Sequence, residues 1–277
     1  MFRFKRVKRI TNQTIALIEK NLLNELRYRV AFLTRFINPL VQIIILFFIF
    51  GVIFDVSENL ELGYWNTNNF TLFLILGFIF QYVRQILDRY LLLFRIEKYW
   101  KTLPALMIAP LNRFVLLLGI LFTELIIVSV PIISLLIIAY IFYPINLFIV
   151  FLFIVVLFSF ALICGCFGLM LGVFEISNEN YSNSLSLLLK SLFWLSCATY
   201  PIYIFPEFIQ FLIKLNPFYY FFDLLRLIWY SGIDLQIALS NLTAFHIISV
   251  AVFISLLPII SVAVFNKFYK KYGISGY

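Results

Sequence analysis

Charged residues are scarce in this chain of 277 residues. They make up 12% of it, whereas hydrophobic residues make up 64%. Soluble domains contain about 25% charged residues and about 45–50% apolar residues. So few charges cannot cover so much apolar surface in water, which excludes a water-soluble globular fold. We therefore expect lipid to be the solvent for most of the chain.

Histidine and cysteine are also rare. His246 is the only histidine, and Cys164, Cys166 and Cys197 all lie inside apolar stretches. This excludes paired-histidine zinc sites and Ser–His catalytic dyads, and it favours the cysteines as small packing residues. We expect His246 to make hydrogen bonds near the start of the last membrane span. The chain also lacks a G-x-x-x-x-G-K-[ST] loop, so we expect it to bind no ATP and no cofactor of its own.

Six apolar runs are long enough to cross a bilayer, which takes about 20 helical residues. They occupy residues 36–54, 70–95, 114–142, 145–174, 185–205 and 242–265. A seventh block, residues 208–229, is interrupted by Lys214, Pro217, Asp223 and Arg226. The predicted fold class is an all-α membrane protein with a single transmembrane domain over residues 1–277.

The positions of the basic residues indicate the topology. Of 21 lysines and arginines, nine precede residue 36, six lie between residues 84 and 113, and three follow residue 266. Such clusters mark cytoplasmic loops, so the net charge of +8 indicates membrane topology and not a nucleic-acid partner. Both termini are then cytoplasmic, which requires an even number of crossings in the plasma membrane.

The seventh block is therefore the one that does not span. We predict that residues 206–232 form an external re-entrant segment that keeps Lys214, Asp223 and Arg226 near lipid headgroups. The loop of residues 55–69 has three acidic residues and no basic residue, which also suits an external position. Residues 11–35 predict an amphipathic helix on the inner membrane surface, with Ile15, Ile18, Leu22 and Leu26 on its apolar face, before the chain turns at Asn38-Pro39.

Three segments resemble a known family. Residues 99–118 read YWKTLPALMIAPLNRFVLLL, with threonine-leucine, alanine-proline and arginine in order. Residues 193–232 contain Pro201-Ile202-Tyr203, then Asn216-Pro217-Phe218-Tyr219-Tyr220, then Asp223-Leu224-Leu225-Arg226. With the amphipathic N-terminal helix, these segments resemble the permeases of type-2 ABC exporters, over residues 12–270. Residues 174–178 depart from the stretch that polysaccharide exporters of this family carry at that position.

The resemblance implies a half-transporter. Two copies of the chain form the translocation path, and a separate ATPase subunit, which binds ATP and Mg²⁺, docks on the cytoplasmic side. The resemblance also implies that residues 96–112 form a coupling segment, in which the coupling residues are Glu97, Lys98, Lys101, Thr102 and Arg113. The implied substrate is amphipathic: lipid-like, drug-like or a glycan.

A few charges lie inside the apolar runs. Glu124 stands about 15 Å into its run at helical rise, and a carboxylate at that depth marks either a functional site or a contact between helices. Glu124 and Lys190 are therefore candidates for the translocation path. Arg84 and Asp88 are spaced i, i+4, which predicts an ion pair on one helix face.

Two other classes of function fit the composition. The chain could be a membrane-embedded enzyme that modifies lipids, or a membrane scaffold or channel subunit. No catalytic constellation supports the enzyme. A partner ATPase would favour the transporter over both alternatives.

Overall fold

The computed structural model describes residues 2–30, 65, 69–102, 113–177 and 179–272, together with short pieces at residues 32–34, 36–37, 40–41, 44–45 and 48–49. The described part is helical apart from its turns. Its α-helices, numbered here in chain order, are α1 (Phe2–Arg27), α2 (Phe70–Tyr99), α3 (Arg113–Phe142), α4 (Leu147–Ser177), α5 (Glu179–Trp194), α6 (Glu207–Leu215), α7 (Pro217–Tyr230), α8 (Leu235–Asn241) and α9 (Ala244–Tyr272).

Helix α2 forms the centre of the bundle. It packs against α3 and α4, and α4 in turn packs against α5, α7 and α9. Phenylalanine rings fill the space between them: Phe222 of α7 stacks on Phe80 of α2 at 4.9 Å and meets Phe160 of α4 at 5.1 Å. Because α2 is enclosed on most sides, the polar residues it carries need protein partners.

Four helices among the described residues are long and apolar enough to span a membrane. They are Phe70–Tyr99, Phe114–Phe142, Leu147–Ile176 and Ala244–Phe268. They correspond to the predicted spans at 70–95, 114–142, 145–174 and 242–265. Pro144 separates α3 from α4, and the Asn146 side chain accepts a hydrogen bond from the Phe148 N–H (3.0 Å) to begin α4. The predicted first span, Asn38-Pro39 and the loop of residues 55–69 lie outside the described residues, apart from the short pieces, Trp65 and Asn69.

The predicted fifth span, residues 185–205, differs from the structure. The helix there is α5, which ends at Trp194, and the chain from Leu195 to Pro201 is not helical. Pro201 disfavours helical backbone at the residue before it, and Cys197 takes a left-handed conformation with φ of 56°. A 16-residue helix is about 24 Å long, which is short of the hydrocarbon core of about 30 Å.

The N-terminal helix was predicted at residues 11–35, but α1 begins at Phe2 and ends at Arg27. No glycine or proline interrupts residues 2–27, so nothing stops the helix from extending toward the N-terminus. Its face against the bundle carries Thr14, Leu17 and Asn21, all buried. Of the predicted apolar face, Ile15 and Leu26 are exposed and Ile18 and Leu22 are half-buried, so that face lies only partly against the bundle.

Candidate functional site

The chain after α5 is held by a buried arginine of α7. Arg226 is 2% exposed, and its Nη1 donates a hydrogen bond to the Cys197 carbonyl (3.0 Å) while Nη2 donates to the Ala198 carbonyl. Its guanidinium lies 3.8 Å above the Phe73 ring of α2, a cation–π contact. Protein groups thus surround the charge of Arg226. Arg226 therefore joins α2, α7 and the unwound segment.

Asn216 makes a second link between α5 and α7. Its Nδ2 donates to the Leu192 carbonyl near the end of α5 (2.6 Å), and its Oδ1 accepts from the Phe218 N–H (3.1 Å). The second bond is an N-cap, and Pro217 occupies the first position of α7, where a missing N–H has no cost. The Asn-Pro pair of the sequence motif thus starts α7 and fixes it to α5.

Asp223 pairs with the only histidine. His246 Nδ1 accepts a hydrogen bond from the Thr243 N–H (3.1 Å), so Nε2 carries the ring proton and donates to Asp223 Oδ2 (3.0 Å). The hydrogen-bonding role expected for His246 is observed. The pair joins α7 to the first turn of α9.

These residues surround a cavity of about 320 Å³. Its walls include Phe73, Tyr203, Tyr219, Asp223, Arg226 and His246. Burial raises the pKa of the Tyr219 phenol, and the nearby Asp223 carboxylate raises it further. Tyr219 therefore stays neutral and offers a hydroxyl group to the cavity.

Three charged residues lie together halfway along the bundle. Arg84 Nη1 is 3.3 Å from Asp88 Oδ2, which confirms the ion pair predicted from their spacing. Lys190 of α5 approaches the other Asp88 oxygen at 3.7 Å. The Lys190 side chain is 50% exposed, that of Asp88 34% and that of Arg84 22%. Lys190 thus reaches across from α5 to α2, and all three side chains remain accessible.

Glu124, in contrast, has no exposed surface. Its Oε1 lies 2.9 Å from Nε of Arg89, and Arg89 also forms an ion pair with Glu25 of α1. The three charges join α1, α2 and α3. Sequence analysis missed Arg89 and Glu25 as partners because the three residues come from different helices and share no spacing.

The predicted coupling segment begins at the end of α2. Glu97 is buried there and binds Lys20 of α1 and the Thr102 hydroxyl, while the Thr102 N–H donates to the Glu97 carbonyl (3.1 Å). Lys101 is exposed, with φ of 57°, and Lys98 is half-buried. Arg113 is the first residue of α3, but its side chain lies outside the described residues, as do residues 103–112 with Pro104 and Pro110.

A second ion pair lies at the same end of the bundle. Arg95 of α2 donates from Nε (2.7 Å) and Nη2 (3.3 Å) to the buried carboxylate of Glu175 of α4. Its Nη2 also donates to Asn183 Oδ1 of α5 (3.2 Å). No signal in the sequence paired these residues. The end of α2 is therefore joined to α1, α4 and α5.

Comparison with known proteins gives one match. The family model described as ABC-2 type transporter matches residues 12–230, which is most of the chain. A search of curated proteins gives no significant match.

Proposed function

The chain belongs to the ABC-2 type transporter family and is a transmembrane ABC transporter permease, and from this premise we propose that it exports an amphipathic, lipid-like, drug-like or glycan substrate from the cytoplasm. Membership of a transporter family favours this function over a lipid-modifying enzyme, a scaffold or a channel subunit. Permeases of this family normally work with an ATPase subunit. ATP and Mg²⁺ are bound by that partner in our proposal.

We propose six crossings of the plasma membrane with both termini in the cytoplasm. The four long apolar helices supply four of them. Residues 36–54 supply another, and α5 with the segment up to Phe205 supplies the last. Helices α6 and α7 have 9 and 14 residues, or about 14 and 21 Å, so each is too short to cross alone. Residues 206–232 then enter the outer leaflet and return.

The contacts of Glu97 carry the proposal for energy coupling. Glu97 connects the first residues of the segment 96–112 to Lys20 of α1 and, along its own helix, to α2. A force applied to this segment by an ATPase therefore reaches two helices at once. A change driven by ATP requires contacts that differ between two states of the complex. The exposed Lys101 and half-buried Lys98 lie beside Glu97, where the ATPase would bind.

The accessible charges between α2 and α5 support a path formed by two copies of the chain. Charged side chains are costly against lipid tails and mark pathways or contacts inside a membrane protein. Arg84, Asp88 and Lys190 are accessible in the single chain, so a second copy facing them would enclose them in a shared polar path. We assign Lys190 to this path. We assign Glu124 to the packing of helices because it is completely enclosed.

Crosslinking to the ATPase tests the proposal. The permease is purified with its co-purifying ATPase after Lys98→Cys or Lys101→Cys is introduced, and a short bifunctional thiol reagent is added. The native cysteines Cys164, Cys166 and Cys197 are buried and give a low background. We expect crosslinks from both positions, because they flank Glu97 in the segment that would receive the ATPase.

Ile233→Cys is the matched control, because Ile233 is exposed and follows α7, which ends beside the turn between α3 and α4. It should give no crosslink to the ATPase. A permease that purifies alone, fully active and independent of ATP, would contradict the proposed function.

A further inference from the structure

We propose that Arg84 and Lys190 form a binding site for the phosphate headgroup of an anionic amphipathic substrate. This inference rests on the proposed function, since it names the substrate class for the path described above. It depends on three observations: the net charge of the cluster, its depth in the bundle and the aromatic walls of the cleft beside it.

The cluster carries a net positive charge. Two bases, Arg84 and Lys190, share the single carboxylate of Asp88 at 3.3 and 3.7 Å. One positive charge per chain is left over, and two copies facing each other would present two. The Arg84 Nε donates to the Gln81 amide oxygen (3.2 Å), which adds no negative charge. An anion entering between the copies would therefore be attracted to this level.

The cluster lies far from either end of α2. Arg84 is 14 residues beyond Phe70, or about 21 Å along a helix about 45 Å long. Arg84 is 22% exposed and so is partly shielded from solvent, and a charge in such surroundings acts more strongly than it does at an open surface. The excess base therefore indicates an anionic ligand.

The chemistry of the two bases favours phosphate. Arginine offers a planar fork of N–H donors that matches phosphate oxygens, and lysine binds phosphate as a point charge. A small cleft between α2 and α5 has aromatic walls formed by Phe80, Phe193, Trp194 and Phe222, and Arg84, Gln81 and Thr199 also line it. The cleft holds only about 20 Å³, so the headgroup would lie at its mouth, where Lys190 and Trp194 are exposed. Aromatic walls beside two cations fit an amphipathic anion.

Trp194 provides a built-in probe of this site. It lies one turn from Lys190 and is 68% exposed. The intact permease is reconstituted in phosphatidylcholine vesicles that contain a few mole per cent of brominated phosphatidylglycerol or of brominated phosphatidylcholine. Bromine quenches tryptophan fluorescence on contact. The quenching of Trp194 is obtained as the difference between the wild type and Trp194→Phe. We expect brominated phosphatidylglycerol to quench Trp194 more strongly than brominated phosphatidylcholine does at equal mole fraction.

Variants of the cluster should change the preference in opposite directions. Lys190→Gln should weaken the apparent binding of brominated phosphatidylglycerol about tenfold, equivalent to about 1.4 kcal/mol. Lys190→Arg should keep the preference, and Asp88→Asn should strengthen it, because it removes the competing carboxylate. Lys214→Gln is the matched control, since Lys214 is an exposed lysine of α6 that lies outside the cluster of Arg84, Asp88 and Lys190.

The source of the phosphate is tested by adding soluble glycerol phosphate at millimolar concentration. Relief of the quenching would show that the site recognises the phosphate group alone, and no relief would show that it recognises phosphate only on a lipid. Either result supports an anion site if the preference depends on Lys190. Equal quenching by the two brominated lipids, or a preference unchanged in Lys190→Gln, would overturn the inference. Neither result bears on the ATPase crosslinks, so those crosslinks test the proposed function independently.

Discussion

Arg89 and Glu124 form an ion pair that is enclosed by the helix bundle, with 2.9 Å between Nε and Oε1. Glu25 of α1 binds the same guanidinium, so two carboxylates share one cation. Enclosed charges of this kind are retained only with partners, since an unpaired one would cost several kcal/mol. Arg89 is thus the cation that both carboxylates share.

Replacing Arg89 should therefore be far more harmful than replacing Glu124. Arg89→Met removes the cation that both carboxylates share and should destabilise the folded permease by about 3–5 kcal/mol. Glu124→Gln keeps a hydrogen-bond acceptor and leaves the pair of Arg89 and Glu25 intact, so its cost should be about 1 kcal/mol. Thermal unfolding in detergent would measure both. Glu19→Gln, at an exposed position of α1, is the control.

Transport by Glu124→Gln distinguishes packing from a role in the path. If Glu124 only packs helices, the variant should transport at the wild-type rate once its expression is matched. A large loss of transport by a stably folded variant would instead indicate that Glu124 contributes to the translocation path.

The sequence predicted the long spans well because their signal is compositional. Runs such as residues 114–142 and 145–174 are apolar throughout, so lipid solvation alone indicates where the helices lie. The Arg84–Asp88 pair was also predictable, because residues four apart share a helix face. Both predictions need only information along one segment.

Contacts between segments were not predictable in this way. The backbone carbonyls and the Phe73 ring that surround Arg226 come from other segments of the chain, and no spacing in the sequence indicated them. The unwinding after α5 depends on those same contacts, so it could not be found from apolar runs. The pair of the exposed Arg95 and the buried Glu175 was missed for the same reason.

Arg226→Met should loosen the segment between α5 and α6. The variant keeps the length of the apolar stem but loses both hydrogen bonds to the Cys197 and Ala198 carbonyls. Buried carbonyls left without donors favour opening toward water. We expect Cys197, which is buried in the wild type, to react with N-ethylmaleimide at least several times faster. Mass spectrometry would identify the labelled cysteine, and unchanged labelling of Cys197 would show that Arg226 does not hold this segment.

Gly77→Ala, on α2, should also disturb the segment between α5 and α6. A Cβ at Gly77 would overlap with the Ala198 carbonyl oxygen, and backbone cannot move aside as a side chain can. We expect a loss of about 1–3 kcal/mol in the free energy of unfolding. Gly165→Ala is the matched control, because the nearest atoms there are the Tyr90 hydroxyl (3.2 Å) and a Leu121 methyl group (3.3 Å). Equal unfolding temperatures of the two variants would contradict the predicted contact.

Labelling of intact cells tests the topology. A membrane-impermeant maleimide should react with Ile233→Cys, which follows the re-entrant segment, and not with Lys101→Cys before the cells are opened. The prediction follows from the basic residues between the end of α2 and the start of α3, which are Arg95, Lys98, Lys101 and Arg113 and which indicate the cytoplasmic side. Labelling of Lys101→Cys in intact cells would reverse the orientation. Failure of Ile233→Cys to react, with labelling only after opening, would mean that residues 208–229 cross the membrane.

Exchanging the charges of Lys20 and Glu97 tests whether their contact transmits work from the ATPase. Glu97→Lys places two like charges together, and so does Lys20→Glu, so each single variant should separate the start of the coupling segment from α1. ATP hydrolysis by the complex should continue while transport falls by at least tenfold. The double variant restores an ion pair of reversed polarity and should recover part of the transport. Thr102 remains in all three proteins and binds either a carboxylate or a backbone carbonyl, so local folding should survive.

If the double variant were as inactive as the single ones, the contact between Lys20 and Glu97 would not be the route of coupling. If the single variants transported normally, segment 96–112 would transmit the force through α2 alone.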